Sequence, residues 1–86
     1  MMSGYFIEES ETAVHYDGAG VVEVDVEFPQ FRRVEKVINV AVQTSSTDID
    51  PGTVNLIQIN GNVVKITIVG IATECDLTVK VTALGW

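Results

Sequence analysis

The chain has 86 residues, with 12 acidic and 5 basic side chains, a net charge of −7 and 47% hydrophobic residues. The acidity argues against binding to nucleic acid, because proteins that neutralise phosphates need clustered Lys and Arg, and the hydrophobic fraction is too high for a disordered acidic tail. We expect residues 1–86 to form one β domain with a small core, whose stability a partner surface would increase.

The cysteine content and the N-terminal segment indicate a protein that folds in a reducing cytoplasm. Cys75 is the only cysteine, which excludes a disulfide within the chain and a zinc site built on several cysteines. Residues 1–10 have neither the basic start nor the long apolar run of a signal peptide. No stretch approaches the roughly 20 apolar residues of a membrane span. We therefore expect a cytoplasmic location and no membrane contact.

The first 20 residues predict a short strand and a turn. Residues 12–16 (TAVHY) make the strand, and residues 1–11 before it are a candidate extended N-terminal arm. Asp17-Gly18 follows as a hairpin-type turn signal.

Residues 21–28 (VVEVDVEF) make the clearest strand, because every second residue is apolar and the residues between are carboxylates. Pro29 ends it, since proline cannot donate to a strand ladder. Acids on one face of a strand lie about 6.6–6.8 Å apart at each step, too far for two of them to hold one calcium ion alone. We interpret the acids as the solvated face of an edge strand that discourages docking by another edge.

Residues 30–43 (QFRRVEKVINVAVQ) fit two kinds of secondary structure. Their apolar residues recur at spacings of three and four, as on one stripe of a helix, yet VINVAV is rich in β-branched residues and also fits a strand. We favour an extended approach over residues 31–35 and a strand over residues 36–43.

The C-terminal half predicts three further strands, over residues 53–59, 62–70 and 76–84. Asn60-Gly61 separates the first two and predicts a hairpin with a type I′ turn, because both residues tolerate positive φ. The last two strands each bury one face, formed by Val64, Ile66 and Ile68 in one strand and by Leu77, Val79, Val81 and Ala83 in the other.

Short strands joined by turn signals, without a convincing helix, predict an all-β fold. Polar residues on one face of each strand are typical of antiparallel sheets rather than of parallel ones. We therefore predict an antiparallel β-sandwich, Ig-like or jelly-roll-like, or a small barrel, with about six or seven strands.

Residues 43–52 (QTSSTDIDPG) form the longest predicted loop and hold the one weak candidate for a metal site. Asp48 and Asp50 are two residues apart, as in calcium loops, but the other ligands of an EF-hand pattern are absent. Asp50-Pro51-Gly52 also makes a turn by itself, since Asp accepts hydrogen bonds from the backbone and Pro restricts φ. We favour the turn, and we expect no metal and no cofactor.

No catalytic residue emerges from the sequence. His15 is the only histidine, and its neighbours Tyr16 and Asp17 point to other faces or lie in the turn, so we interpret it as a surface or edge histidine. The serines lack the context of a nucleophile elbow. Gly18 and Gly20 form only a GxG motif without a helix to hold a phosphate. We expect no enzymatic activity.

Four aromatic residues are candidate interface residues: Tyr5, Phe6, Phe31 and Trp86. Phe31 is predicted to lie in the core or in an interface. Trp86 is the last residue, where chains usually fray, and a large aromatic ring left in water gains nothing. Its presence indicates a pocket on this chain or on a neighbour.

The stretch from FPQFRRVEKVINVAVQ through the Asn-Gly hairpin to LTVKVTALGW resembles small β-structured virion proteins of tailed bacteriophages. In those proteins a Phe-Pro-x-Phe-basic lead-in precedes paired strands, and the chain ends on a Val-Thr-Ala-small-Gly motif. The resemblance covers about residues 28–86. It implies a non-enzymatic protein that is repeated on a capsid or tail, where it reinforces the shell or joins its parts, after assembly in the host cytoplasm.

Two hypotheses of function follow. We prefer a structural interaction protein that forms homo-oligomers or docks onto a larger assembly, such as a capsid or tail protein, through an apolar sheet edge, the N-terminal segment and Trp86. The alternative is a binding module for calcium, carbohydrate or a receptor. It would use residues 17–20 and 43–52 at one end of the fold, because loops on a rigid sandwich carry such sites.

Overall fold

The chain folds into two three-stranded antiparallel sheets that pack against each other. The computed structural model describes residues 4–86, which form six strands and no helix. The strands are β1 (Phe6–Tyr16), β2 (Val21–Glu27), β3 (Val34–Thr44), β4 (Thr53–Asn60), β5 (Val63–Val69) and β6 (Cys75–Gly85). Their order is β1-β6-β3 in the first sheet and β2-β5-β4 in the second. The prediction of an all-β antiparallel sandwich is confirmed.

The core lies between the two central strands, β5 and β6. Both alternate as predicted, and the inward residues Val64, Ile66 and Ile68 of β5 are 0% exposed. On β6 the predicted row is also buried. Burying apolar side chains in this way stabilises a fold by roughly 1.5–3 kcal/mol for each large one, so these two strands hold the sheets together.

Strand β1 is longer than predicted. It begins at Phe6, six residues before the predicted start, and pairs with β6 along its whole length, from Phe6 opposite Gly85 to Tyr16 opposite Cys75. Residues 6–11 of the predicted arm therefore belong to a sheet, whereas residues 1–3 lie outside the described residues. Alternation of polar and apolar residues did not reveal this part of the strand. Glu8 and Ser10 share the inner face of β1 with Tyr16, but that face is buried only near Tyr16.

The predicted hairpin at Asp17-Gly18 is wrong, because β1 and β2 lie in different sheets. The turn itself forms: the Asp17 carboxylate accepts a hydrogen bond from the Ala19 N–H at 3.0 Å. The buried Tyr16 hydroxyl accepts another from the Gly20 N–H at 2.7 Å. Residues 17–20 thus carry the chain from one sheet to the other.

The β4–β5 hairpin is confirmed, but its turn is one residue later than predicted. Asn60 pairs with Val63, which leaves Gly61 and Asn62 as the turn. Gly61 has a φ of 63°, and no non-glycine residue in the described part of the chain has a positive φ. A positive φ at the first turn position alone is typical of type II′ rather than type I′. The Asn62 side chain instead donates to the Phe28 carbonyl at 3.1 Å.

Strand β3 is confirmed as a strand, and two bulges set the spacing of its inward residues. Its pairing with β6 shifts register twice, between Val34 and Lys36 and between Val37 and Asn39. Each bulge inserts one extra residue into the strand. The residues that face the core are therefore three apart rather than two in this part of β3.

Residues 28–33 close one end of the sandwich. Phe28 and Phe31 are 0% and 4% exposed, and their rings stack with centroids 5.6 Å apart. The Phe31 ring also lies against Gly85, where a Cβ would be 2.6 Å from Cδ2 of the ring. Of the two places predicted for Phe31, the core or an interface, the structure shows the core: the ring packs within this chain because the segment folds inward over the end of β6.

Candidate interaction surface

The four outer strands leave four open sheet edges, and β4 is the one without charge. Strand β1 carries three glutamates, β2 carries Glu23, Asp25 and Glu27, and β3 carries Glu35 and Lys36. Strand β4, with the sequence TVNLIQIN, has no acidic or basic residue. Charged side chains on an edge discourage pairing with another strand. Strands β1 and β2 have that protection along much of their length, β3 has it only near its start, and β4 lacks it.

The inner face of β4 is also left uncovered by the facing sheet. Ile57 and Ile59 lie opposite Ile66 and Val64 of β5, so they share the inner face of the sheet, yet each is 42% exposed. On the other outer strand of the same sheet, Val24 and Val26 are 1% and 0% exposed. The sandwich is therefore closed beside β2 and open beside β4.

One contact between the sheets helps to close the β2 side. The Thr12 hydroxyl of β1 lies 3.4 Å from the Asp25 carbonyl oxygen of β2, to which it donates. The two bulges of β3 occur in the strand that faces β4, and they leave the side chain of Ile38 half-exposed as well. The pairing of β3 with β6 is therefore irregular on the same side of the sandwich where the inner face of β4 is uncovered.

The outer face of β4 adds a further apolar side chain and a groove. Leu56 lies opposite Thr67 on the outer face, because a bulge between Val54 and Leu56 shifts the register, and it is 48% exposed. An open groove of about 550 Å³ near the hairpin end of β4 is lined by Asp25, Gln58, Ile59, Asn60, Val63 and Lys65. We call strand β4, with the exposed Leu56, Ile57 and Ile59, the β4 edge.

The predicted interface residues Tyr5, Phe6 and Trp86 lie at the same end of the first sheet. Phe6 pairs with Gly85, which places Tyr5 and Trp86 beside this pair. Tyr5, Phe6 and Trp86 are 36%, 60% and 42% exposed. Phe6 lies on the inner face and Ile7 on the outer face of the sheet. We call the exposed apolar side chains at this end of the sheet, Tyr5, Phe6, Ile7 and Trp86, the aromatic patch. The backbone of Trp86 is held in place, since its N–H donates to the Arg33 carbonyl and its carbonyl accepts from the Arg32 N–H.

The acids of β2 lie where the sequence predicts. Glu23, Asp25 and Glu27 are exposed on the outer face of an edge strand. Asp25 lies opposite Lys65 in register. Their surroundings are those of a solvated sheet face.

Residues 17–20 and 45–52 lie at one end of the sandwich, as the binding-module hypothesis requires, whereas residues 43 and 44 of the predicted loop belong to β3. In the loop 45–52, the Asp50 carboxylate accepts a hydrogen bond from the Gly52 N–H at 2.9 Å, which confirms the predicted turn. Asp48 is exposed, and its N–H donates to the Ser46 hydroxyl at 3.2 Å. Within residues 4–86, no group of three or more His, Cys, Asp and Glu side chains is placed to hold a metal ion.

His15 has two carboxylate partners that are distant in sequence. Its Nδ1 lies 2.7 Å from Asp76 Oδ1, and its Nε2 lies 2.7 Å from Glu74 Oε2. A neutral imidazole donates from only one nitrogen, so both hydrogen bonds together require the imidazolium. The bonds to Asp76 first and to Glu74 second raise the pKa of His15 above its usual 6.5. The prediction of an exposed edge histidine is confirmed, but these acids were not predicted.

We expect His15→Gln to lose stability only at low pH. A raised pKa in the folded state means that the imidazolium contribution is fully present below pH 6.5 and disappears as the pH rises through the folded-state pKa. Urea denaturation of both proteins at about pH 5.5 and about pH 9 would measure this difference. NMR titration of the imidazole should give a pKa above 6.5 that falls further in Asp76→Asn than in Glu74→Gln. Equal stability differences at the two pH values would contradict this prediction.

Comparison with known proteins does not assign this chain to a family. No protein-family model, curated protein or solved structure matches it. Residues 4–86 also contain no helix that is long and apolar enough to cross a membrane. Function must therefore be inferred from the surfaces described above.

Proposed function

We propose that this chain is a non-enzymatic structural protein that joins other β-structured surfaces through the β4 edge. The observation that carries the proposal is the contrast between β4 and the other edges: β4 alone is uncharged, and its inner face is open. An exposed strand edge presents unpaired backbone N–H and C=O groups, which bind an incoming strand by extending the sheet. The exposed Leu56, Ile57 and Ile59 would supply apolar contact beside those hydrogen bonds.

The position of the β4 edge suits a joining role. The strand is held on one side by β5 and by the hairpin turn at Gly61, whose carbonyl accepts from the Val34 N–H at 2.8 Å. Binding at a strand that is already ordered avoids most of the entropy cost of ordering a loop. The aromatic patch offers a second apolar contact at the end of the first sheet.

A phage virion is the setting we propose for this role, on the resemblance of residues 28–86 to small virion proteins of tailed bacteriophages. Capsid decoration and tail proteins are repeated in many copies, and each copy must hold to its neighbours or to the shell. A small acidic domain with one unprotected edge fits that task, because the edge fixes where the contact forms while the charge keeps the other faces apart.

Site-specific photo-cross-linking tests the proposed function. A photoreactive amino acid would replace Gln58 on the β4 edge or, as a matched control, the exposed Gln43 on β3 of the other sheet. In cells that naturally make the protein, we expect cross-links at position 58 and few at position 43. The identity of the cross-linked protein, read by mass spectrometry, tests the virion setting.

Two results would count against the proposal. Cross-links at position 43 without any at position 58 would move the contact to the loops 17–20 and 45–52 and would favour a binding module. The absence of cross-links at both positions would overturn the joining role.

A further inference from the structure

We propose that the partner of the β4 edge is a second copy of this chain, bound by antiparallel pairing of β4 with β4 about a two-fold axis. The inference rests on the proposed function and names its partner. It joins the two β2-β5-β4 sheets into one continuous sheet of six strands, with the two β4 strands at its centre. The charge of the edges and the geometry of β4 support it independently.

Charge favours this pairing over pairing of two copies through β1 or β2. Each copy has a net charge of −7, so contact between most of their surfaces brings carboxylates together. Like charges directly opposite each other on neighbouring strands are destabilising. Pairing through β1 or β2 would align the acids of both copies. Pairing of β4 with β4 places no charged side chain of either strand in the contact.

The backbone of β4 offers hydrogen bonds that a two-fold axis can satisfy. The two residues flanking a two-residue turn form a hydrogen-bonded pair, here Asn60 with Val63, and hydrogen-bonded pairs then alternate along the hairpin. Ile59 and Ile57 occupy the alternate positions, so their N–H and C=O groups point away from β5. In an antiparallel second copy of β4, the same residues have their N–H and C=O groups free, so each group can face a partner of the opposite kind. The edge is therefore complementary to itself.

The side chains at this edge are also self-complementary. Ile57 and Ile59 are each 42% exposed on the inner face, and the joined sheet brings those of both copies to the same face. An interface centred on one eight-residue strand per copy is small, and small interfaces are weak. We therefore expect a dimer that dissociates on dilution and strengthens with salt, because salt screens the repulsion between two acidic copies.

Light scattering after size exclusion tests the inference with the full chain. Between about 10 µM and about 1 mM, we expect the mass to rise from 9.3 kDa towards twice that value. Ile57→Lys should weaken the dimer at least about tenfold. The matched control is Val21→Lys, since Val21 is 54% exposed on β2, at the opposite edge of the same sheet, and it should leave dimerisation unchanged.

Two charged variants at Gln58 keep the test valid if Ile57→Lys fails to fold. Gln58 is exposed on the outer face of β4, so Gln58→Lys and Gln58→Glu leave the core intact. In the register that pairs Ile57 of one copy with Ile59 of the other, position 58 lies on the two-fold axis and like charges meet there, so each variant alone should dimerise about two- to fivefold more weakly than the natural chain. An equimolar mixture of the two should recover the dimer, because opposite charges then face each other.

The outcomes separate this inference from the proposed function. A mass of one chain at the highest concentration would overturn the second copy as partner, and so would a dimer that neither Ile57→Lys nor Gln58→Lys weakens. The joining role would still stand in either case if position 58 cross-links to a different protein in cells. Equal weakening by Val21→Lys would show that β4 is not the contact.

Discussion

Phe28→Ala is expected to cost about 3–5 kcal/mol of unfolding free energy, the usual loss for a buried phenylalanine. Phe28 is 0% exposed and stacks on Phe31. Its backbone N–H donates to the Asn62 carbonyl at 2.8 Å, and its carbonyl accepts from the Phe31 N–H at 3.0 Å. A domain of this size has a total stability of about 4–13 kcal/mol, so the variant should lose a large part of it.

The chain offers a matched control for Phe28→Ala. Phe6 is the same residue type and is 60% exposed, so Phe6→Ala should change the stability by less than about 0.5 kcal/mol. Urea denaturation followed by circular dichroism, at a protein concentration where the chain is monomeric, would measure both variants. If the two variants lost equal stability, the stacked pair would not be what closes this end of the sandwich.

The central strands could be predicted because their signal is local. In β5 and β6 inward and outward residues alternate, and along the whole strand the inward face is buried while the outward face is more exposed. Alternation therefore reports burial directly. In β1 only the end near Tyr16 is buried on its inner face, so Phe6 and Glu8 carry no such signal. Their strand is set by β6, which lies about 70 residues further along the chain.

Pairing between strands that are distant in the sequence could not be predicted, because the sequence specifies turns better than partners. Asp17-Gly18 and Gly61-Asn62 both make tight turns, yet only the second joins strands of one sheet. Whether a turn joins strands of one sheet or of two depends on how the sheets pack against each other, and this packing is decided by burial over the whole fold. The carboxylate partners of His15 were missed for the same reason, since Glu74 and Asp76 reach it only through the pairing of β1 with β6.

The β4 edge left a signal in the sequence that could have been used. TVNLIQI (53–59) is one of two predicted strands without Asp, Glu, Lys or Arg, the other being TAVHY (12–16), and it alternates poorly because a bulge precedes Leu56. Strands buried on both faces also lack charge. Only the structure shows that β4 is an outer strand rather than a central one, and this distinction turns an apolar strand into a candidate docking edge.

Gly85→Ala is expected to destabilise the fold by about 3 kcal/mol, at the upper end of the usual range for overpacking. A Cβ at this position would lie 2.5 Å from the Arg33 carbonyl oxygen and 2.6 and 2.8 Å from two atoms of the Phe31 ring. Gly85 has no positive φ, so the loss would come from contact and not from backbone strain. The carbonyl cannot move freely, because it accepts the Trp86 N–H at 3.1 Å.

Two further variants separate contact from strain. Gly18 has a φ of 91°, and a Cβ added there would meet nothing within 4 Å, so Gly18→Ala should show strain alone, about 1 kcal/mol. Combining Gly85→Ala with Phe31→Leu should lose less than the sum of the two single changes, because the smaller side chain relieves the ring contact. Strict additivity in urea denaturation would contradict the packing of Phe31 on Gly85. A coupled result would mean that the buried ring holds the end of β6, and with it the backbone of Trp86, in the position that forms the aromatic patch.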